Sequence, residues 1–266
     1  MNNNGSGESI YSLYNPNFLD GSNKNIVESF ISRNNIDIGH VRSLSPETRN
    51  LFLISSLFTA DDIASIPNEQ LRVGIKEPRN DEYGMIIVKP EMFPCIKDIE
   101  QFLGNIGVEY RSLERVMPTK RGWLDMYGYM LADFPNIVNV YITQRSFGIQ
   151  PIVFKHLSIE KYELIADERS LKLETGDKDT AFDQLYCGKT RSGFDGTIRH
   201  DVVLPKLAIL GFNDMSGYAT DFDISNYYKD SDPTRTYVSF NGIHSPKNKV
   251  EKEKNIQTCI NSWQIV

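Results

Sequence analysis

A mixed α and β fold is what the sequence predicts, with helices layered on a sheet and a helical extension in front of it. Three observations lead there. Between Asn25 and about Glu77 the apolar residues recur at helical spacing, with no strand pattern among them. From Gly84 onward, short apolar runs alternate with amphipathic stretches in a strand–helix–strand–helix–strand–helix order. The first 24 residues are rich in Asn, Gly and Ser and carry no period, so they read as a flexible leader.

The elements follow in order. Ile26, Phe30 and Ile31 mark a first helix. Ser45-Pro46-Glu47 reads as an N-cap with proline at the first helical position, and Leu51, Ile54, Leu57 and Phe58 continue that helix on one face. Thr59-Ala60-Asp61-Asp62 opens a further short helix. Pro78-Arg79-Asn80-Asp81-Glu82 is polar and begins with a helix breaker, which places a boundary near 82. The extension therefore spans 25–82 and the main domain 83–266.

In that domain, Met85-Ile86-Ile87-Val88 predicts a buried strand that stops at Lys89-Pro90. Ile96, Ile99 and Leu103 mark an amphipathic helix closed near Gly104 or Gly107. A strand is expected over 108–117, a helix over 121–132 and a second buried strand over 149–154. Ser158 opens another helix, a strand follows over 236–243, and a final helix covers 248–262 with Val250, Ile256 and Ile260 on its apolar face.

Composition narrows the function classes. The chain has 266 residues and a formal charge of −6, so a nucleic-acid polyanion is not the expected partner. Cys95, Cys187 and Cys259 lie far apart without Cys-x-x-Cys spacing, which argues against a disulfide framework or a zinc site. No basic segment followed by an apolar stretch opens the chain, and no apolar run approaches the roughly 20 residues of a membrane helix. The expectation is a cytoplasmic protein with no membrane partner.

Three short segments carry chemistry. Lys89 directly follows a buried strand and projects from the end of the sheet, where ligands commonly bind. Arg199, in Gly196-Thr197-Ile198-Arg199-His200-Asp201, offers a planar fork of donors suited to phosphate. His244, in Asn241-Gly242-Ile243-His244, stands between a strand and a helix, where imidazole can act as nucleophile or base. Lys, Arg and His together supply what phosphoryl transfer requires: charge stabilisation and an attacking atom. Taken singly, each has an ordinary structural explanation.

In this order the segments resemble the nucleoside diphosphate kinase family, which carries Lys-Pro-Asp after a strand, then Gly-Thr-Ile-Arg-Gly-Asp, then Asn-x-x-His before a helix. The resemblance runs discontinuously from about Gly84 to Trp263, with Gly188-Lys189-Thr190 matching an upstream Gly-x-Thr. It implies a ferredoxin-like α+β sandwich with an antiparallel sheet. It also implies a nucleoside triphosphate as partner, Mg²⁺ carried mainly by the nucleotide phosphates, and a homo-oligomer among the expected assemblies. His244 would take the γ-phosphate as phosphohistidine. Lys89 and Asn241 would contact the sugar hydroxyl and phosphate, and Arg199 and Thr190 the phosphate oxygens. Phe134 or Tyr129 would stack on the base.

The sequence also departs from the family. Ser245-Pro246-Lys247 follows the histidine where the family has Gly or Ala, then Ser and Asp. Simple counting puts Asn255 where the family helix carries an orienting Glu, and Gln184 where it has a second Arg, for which Lys189 or Arg191 could substitute. An insertion from Val202 to Phe240 separates Arg199 from Asn241, where it could cap the site. The leading expectation is a phosphotransferase working through His244. The alternatives are a nucleotide sensor without turnover, or an enzyme passing phosphate or nucleotide to a non-nucleotide acceptor.

Overall fold

The chain's apolar pattern builds two cores, one on each face of a small sheet. The computed structural model describes residues 21–66, 82–132, 135, 137–173, 177–187, 196–203, 205, 242–246 and 248–263. Phe134, Thr190, Asn241, most of the expected insertion and the expected strand residues 236–241 lie outside them.

Four helices come first: α1 (Gly21–Arg33), α2 (Ile38–Ser43), α3 (Pro46–Leu57) and α4 (Ala60–Ala64). α1 opens at Gly21, inside the stretch read as a leader. Side chains start three of the helices. Asp37 caps α2, Ser45 caps α3, and Thr59 with Asp62 forms a reciprocal capping box on α4. α3 buries Arg49, Asn50, Leu53 and Leu57, whereas Leu51, expected on the buried face, is 59% exposed. The reason is its partner. Asn50 accepts a hydrogen bond from Asn139 on the helix α3 packs against, so a partly polar stripe is turned inward.

The sheet has four strands among the described residues: β1 (Tyr83–Val88), β2 (Tyr110–Ser112), β3 (Gln150–Lys155) and β4 (Ile243–His244). Their order is β2-β3-β1-β4 and every pairing is antiparallel. β1 pairs along its whole length with β3, from Tyr83↔Lys155 to Val88↔Gln150. The strand expected over 108–117 is ordered as β2 only from Tyr110 to Ser112, with an isolated bridge between Val116 and Ile149 further on.

Alternation along β1 divides the cores. Met85 and Ile87 face one apolar cluster, shared with α1, α3, α6 (Lys120–Tyr127) and α7 (Ile137–Phe147). Ile86 and Val88 face the other, shared with α5 (Ile96–Asn105), α8 (Ile159–Glu168) and α9 (Lys178–Phe182). α5 presents Ile99 and Leu103 one turn apart, and Gly107 at φ +78° ends its exit turn. Trp123 on α6 is fully buried between Phe58 and Tyr141. Truncating such a residue to Ala typically costs about 3–5 kcal/mol.

Two wide helical turns, Asp183–Cys187 and Ile198–Val203, follow α9. Val202 and Val203, the first residues of the expected insertion, are buried in the second of these, and nearly all of the rest of that segment lies outside the described residues. α10 (Lys249–Trp263) lies across α6. Its inward stripe is Lys252, Asn255, Thr258 and Cys259, while Ile260, expected on the apolar face, is 41% exposed. The inward side chains bond to other elements. Lys252 donates to the Tyr83 carbonyl and pairs with Asp179, and Thr258 donates to the Gly122 carbonyl.

Candidate functional site

β4 is the edge strand on which the three predicted segments meet. Its partner is the end of β1, with Ile87 opposite His244 and Val88 opposite Ile243. One residue beyond the ladder, the Lys89 N–H donates to the Gly242 carbonyl at 2.9 Å. Lys89 thus stands opposite Gly242, diagonal to His244, which faces Ile87, and the register puts the two side chains on one face of the sheet. Arg199 reaches the same strand from the wide turn at Ile198–Val203, its Nη2 donating to the Ile243 carbonyl at 3.1 Å. Thr190 and Asn241, the other two predicted contacts, lie outside the described residues.

The site is largely enclosed. Lys89 is 3% exposed, while Arg199 and His244 are each 7% exposed. Burying a cation is costly unless it is partnered, so such groups mark either a tight internal network or a ligand site. Tyr127, at the end of α6, joins two of them. The Lys89 ammonium stands 5.7 Å from its ring centroid, and the His244 imidazole meets it edge-on at 5.3 Å. The first of these is within cation–π range. Burial pushes the Tyr127 phenol well above its ordinary range, so it stays a neutral wall. The sequence offered Tyr129 or Phe134 as a base-stacking aromatic. Among the described residues the ring that meets the histidine is Tyr127, itself 5% exposed, while Phe134 lies outside them.

Behind His244 stands α10. Asn255 places its amide nitrogen 2.9 Å from His244 Nε2, and Glu251 Oε1 lies 3.4 Å from the same nitrogen. These partners favour opposite protonation. An amide N–H needs a bare Nε2, whereas a carboxylate needs Nε2–H. Turning the Asn255 amide over resolves the conflict, because its Oδ1 is buried without a partner and would then accept from Nε2–H together with Glu251. In that tautomer Nδ1 carries the lone pair. Counting along the sequence finds Asn255 but misses Glu251. The missed signal is the i, i+4 spacing that sets both on one helix face.

Glu91 closes the site from below. It is 1% exposed, and its Oε1 accepts the Gly242 N–H at 3.1 Å. Burial raises its carboxyl above the ordinary range, and the Lys89 charge opposes that shift. Gly242 itself sits at φ +70°, where a β-carbon would stand 2.4 Å from Met92 Cγ, so only glycine fits this turn. Gln184, counted opposite the family's second arginine, is half-buried in the Asp183–Cys187 turn.

Among the described residues, no group of three or more His, Cys, Asp or Glu side chains is arranged to hold a metal ion. No helix among them is long and apolar enough to cross a membrane. No family model, curated protein or solved structure matches the chain.

Proposed function

We propose that the chain is a nucleoside diphosphate kinase-like phosphotransferase that moves the γ-phosphate of a nucleoside triphosphate through His244. The observation that carries this reading is the convergence at β4. A histidine with two polar side chains behind Nε2 sits on a strand whose Ile243 carbonyl takes a buried Arg199 and whose Gly242 faces a buried Lys89. Oriented imidazole next to fixed positive charge is the arrangement that in-line attack on phosphorus requires.

The reading assigns these roles. With Nε2–H held by Asn255 and Glu251, Nδ1 attacks the γ-phosphorus. The N–P bond forms, the bond to the β,γ-bridging oxygen breaks, and the nucleoside diphosphate leaves with that electron pair. Glu251 lies where it offsets the positive charge gained by the ring. Lys89 and Arg199 supply charge to the phosphate oxygens, and Arg199 also holds the strand that carries the nucleophile. Return of the phosphoryl group to an acceptor regenerates His244. Mg²⁺ bound to the triphosphate would screen its charge, leaving Lys89 and Arg199 as this chain's own cations toward the phosphate.

The sheet supports the finer fold assignment too. β1 and β3 are central and antiparallel, and a helix follows each before the outer strands β2 and β4, which is the split βαβ pattern of ferredoxin-like sandwiches. Cytoplasmic localisation and homo-oligomeric assembly belong to the same proposal.

The deciding experiment is incubation with γ-labelled ATP and Mg²⁺, followed by acid or base treatment. Acid-labile, base-stable label on the wild type and none on His244→Ala is the expected result. Nucleotide binding without any label would identify a sensor instead. Equal labelling of His244→Ala would move the nucleophile elsewhere.

A further inference from the structure

Among the described residues, the strand that carries His244 is held by a short ladder and by side chains from several elements. Among the described residues β4 is two residues long, lies at the sheet edge and pairs only with β1. Two ladder positions fix its distance from β1 but constrain its slide and tilt weakly. Side chains supply the rest. Arg199 takes the Ile243 carbonyl, and Glu91 takes the Gly242 N–H, two peptide units earlier. The Gly242 carbonyl accepts from Lys89 N–H, so both polar groups of that residue are bound to the 89–91 segment.

We propose that Glu91 is a positioning residue for His244: its buried side-chain oxygen pins the Gly242 peptide and so sets where β4 delivers the imidazole. The inference deepens the phosphotransferase reading and rests on it for the reaction, but the positioning itself is a property of the fold. Glu91 touches no reacting atom and acts through two peptide bonds. What the position requires is an acceptor oxygen at the end of a three-carbon reach from Cα. A neutral carboxyl or an amide carbonyl serves as well as a carboxylate. Reach is the stricter demand, since a side chain one methylene shorter leaves the Gly242 N–H buried and unpartnered.

Two substitutions separate reach from charge. Glu91→Gln keeps the reach and the acceptor and loses the charge. Glu91→Asp keeps the charge and loses the reach. The full chain, labelled with ¹⁵N-histidine, gives imidazole ¹H–¹⁵N spectra in which the His244 signals report ring placement and tautomer whether or not the protein turns over. Phosphoenzyme formation from γ-labelled ATP is measured in parallel. The expected result is a His244 signal in Glu91→Gln that overlays the wild type, with labelling within about threefold. Glu91→Asp shifts that signal and slows labelling by about 10–100-fold, the usual scale for an orienting partner, while ATP affinity changes by less than about threefold.

The opposite order, with Asp intact and Gln impaired, would show that charge is what matters and overturn the proposal. Wild-type spectra and rates in both variants overturn it as well, and so does equal damage in both. If the wild type takes no label, the phosphotransferase reading falls, and the imidazole spectra alone decide the role of Glu91.

Discussion

Among the described residues Lys252 is the most deeply buried lysine, and removing it makes a demanding test of how α10 is held. It is 1% exposed, its Nζ lies 2.8 Å from Asp179 Oδ2, and it also donates to the Tyr83 carbonyl. Asp179 is 4% exposed, and its second oxygen lies 3.0 Å from His156 Nε2. At an effective dielectric constant of about 20, a pair at this distance attracts by roughly 6 kcal/mol, but dehydration of both ions cancels most of that. The measurable quantity is the cost of orphaning one partner. For Lys252→Met this is about 3 kcal/mol, at the low end of the range of about 3–5 kcal/mol, because His156 continues to hydrogen-bond Asp179. In a chain of this size the melting temperature should fall by roughly 6–12 °C. The double variant Lys252→Met with Asp179→Asn, which removes both charges, should be less damaged than the sum of the singles by about 2 kcal/mol. Urea unfolding followed by tryptophan fluorescence, with Trp123 in the core, reads all four corners of the cycle. A single-variant cost below about 1 kcal/mol, or strict additivity, would refute the argument that this buried pair fixes α10.

Two further outcomes are expected. Glu251→Gln should slow phosphoenzyme formation by about 10–100-fold with nucleotide affinity nearly unchanged, since it removes the carboxylate near Nε2; quench-flow labelling measures this, and an unchanged rate would leave Asn255 as the sole orienting group. Glu91 should also leave a mark on the pH dependence of stability. Burial raises its carboxyl in the fold above the ordinary value of 4.5, so the stability it contributes is complete below that value and is lost as pH rises through the folded one. Glu91→Gln removes this dependence, so urea midpoints should increasingly favour the variant as pH rises above about 4.5; a constant difference would show that Glu91 does not titrate differently in the folded state.

The readable parts of the chain were those where one physical signal dominates. Met85 to Val88 is continuously apolar because both faces of β1 are covered, and Lys89-Pro90 ends it cleanly. Ser45, Thr59 and Ser158 announce their helices because capping is local chemistry. α7 went unread for the opposite reason. Asn139, Thr143 and Gln144 are buried along with its apolar residues, so no face of the helix stands out. The order of the motifs singles out Lys89, Arg199 and His244 as candidates, but the residues around them carry no such signal. Whether Glu251 reaches the imidazole depends on how α10 crosses β4, and Tyr127 enters through the end of α6; both are tertiary facts with no local signature.

The polar inner stripe of α10 has a consequence for how the molecule assembles. Apolar stripes tolerate sliding and can dock early, whereas hydrogen-bonded and ionic partners reward only one register. The partners of α10 are far away along the chain: Lys252 reaches back 169 residues to Tyr83, and Thr258 reaches back 136 to Gly122. Closing such long loops is slow relative to local pairing. α10 therefore belongs among the late-forming elements, low in transition-state structure, and its native contacts chiefly slow unfolding rather than speed folding. If α10 opens locally while the β1–β3 ladder persists, Asn255 and Glu251 leave the His244 imidazole, so on the phosphotransferase reading its orientation would follow a local opening equilibrium rather than global unfolding.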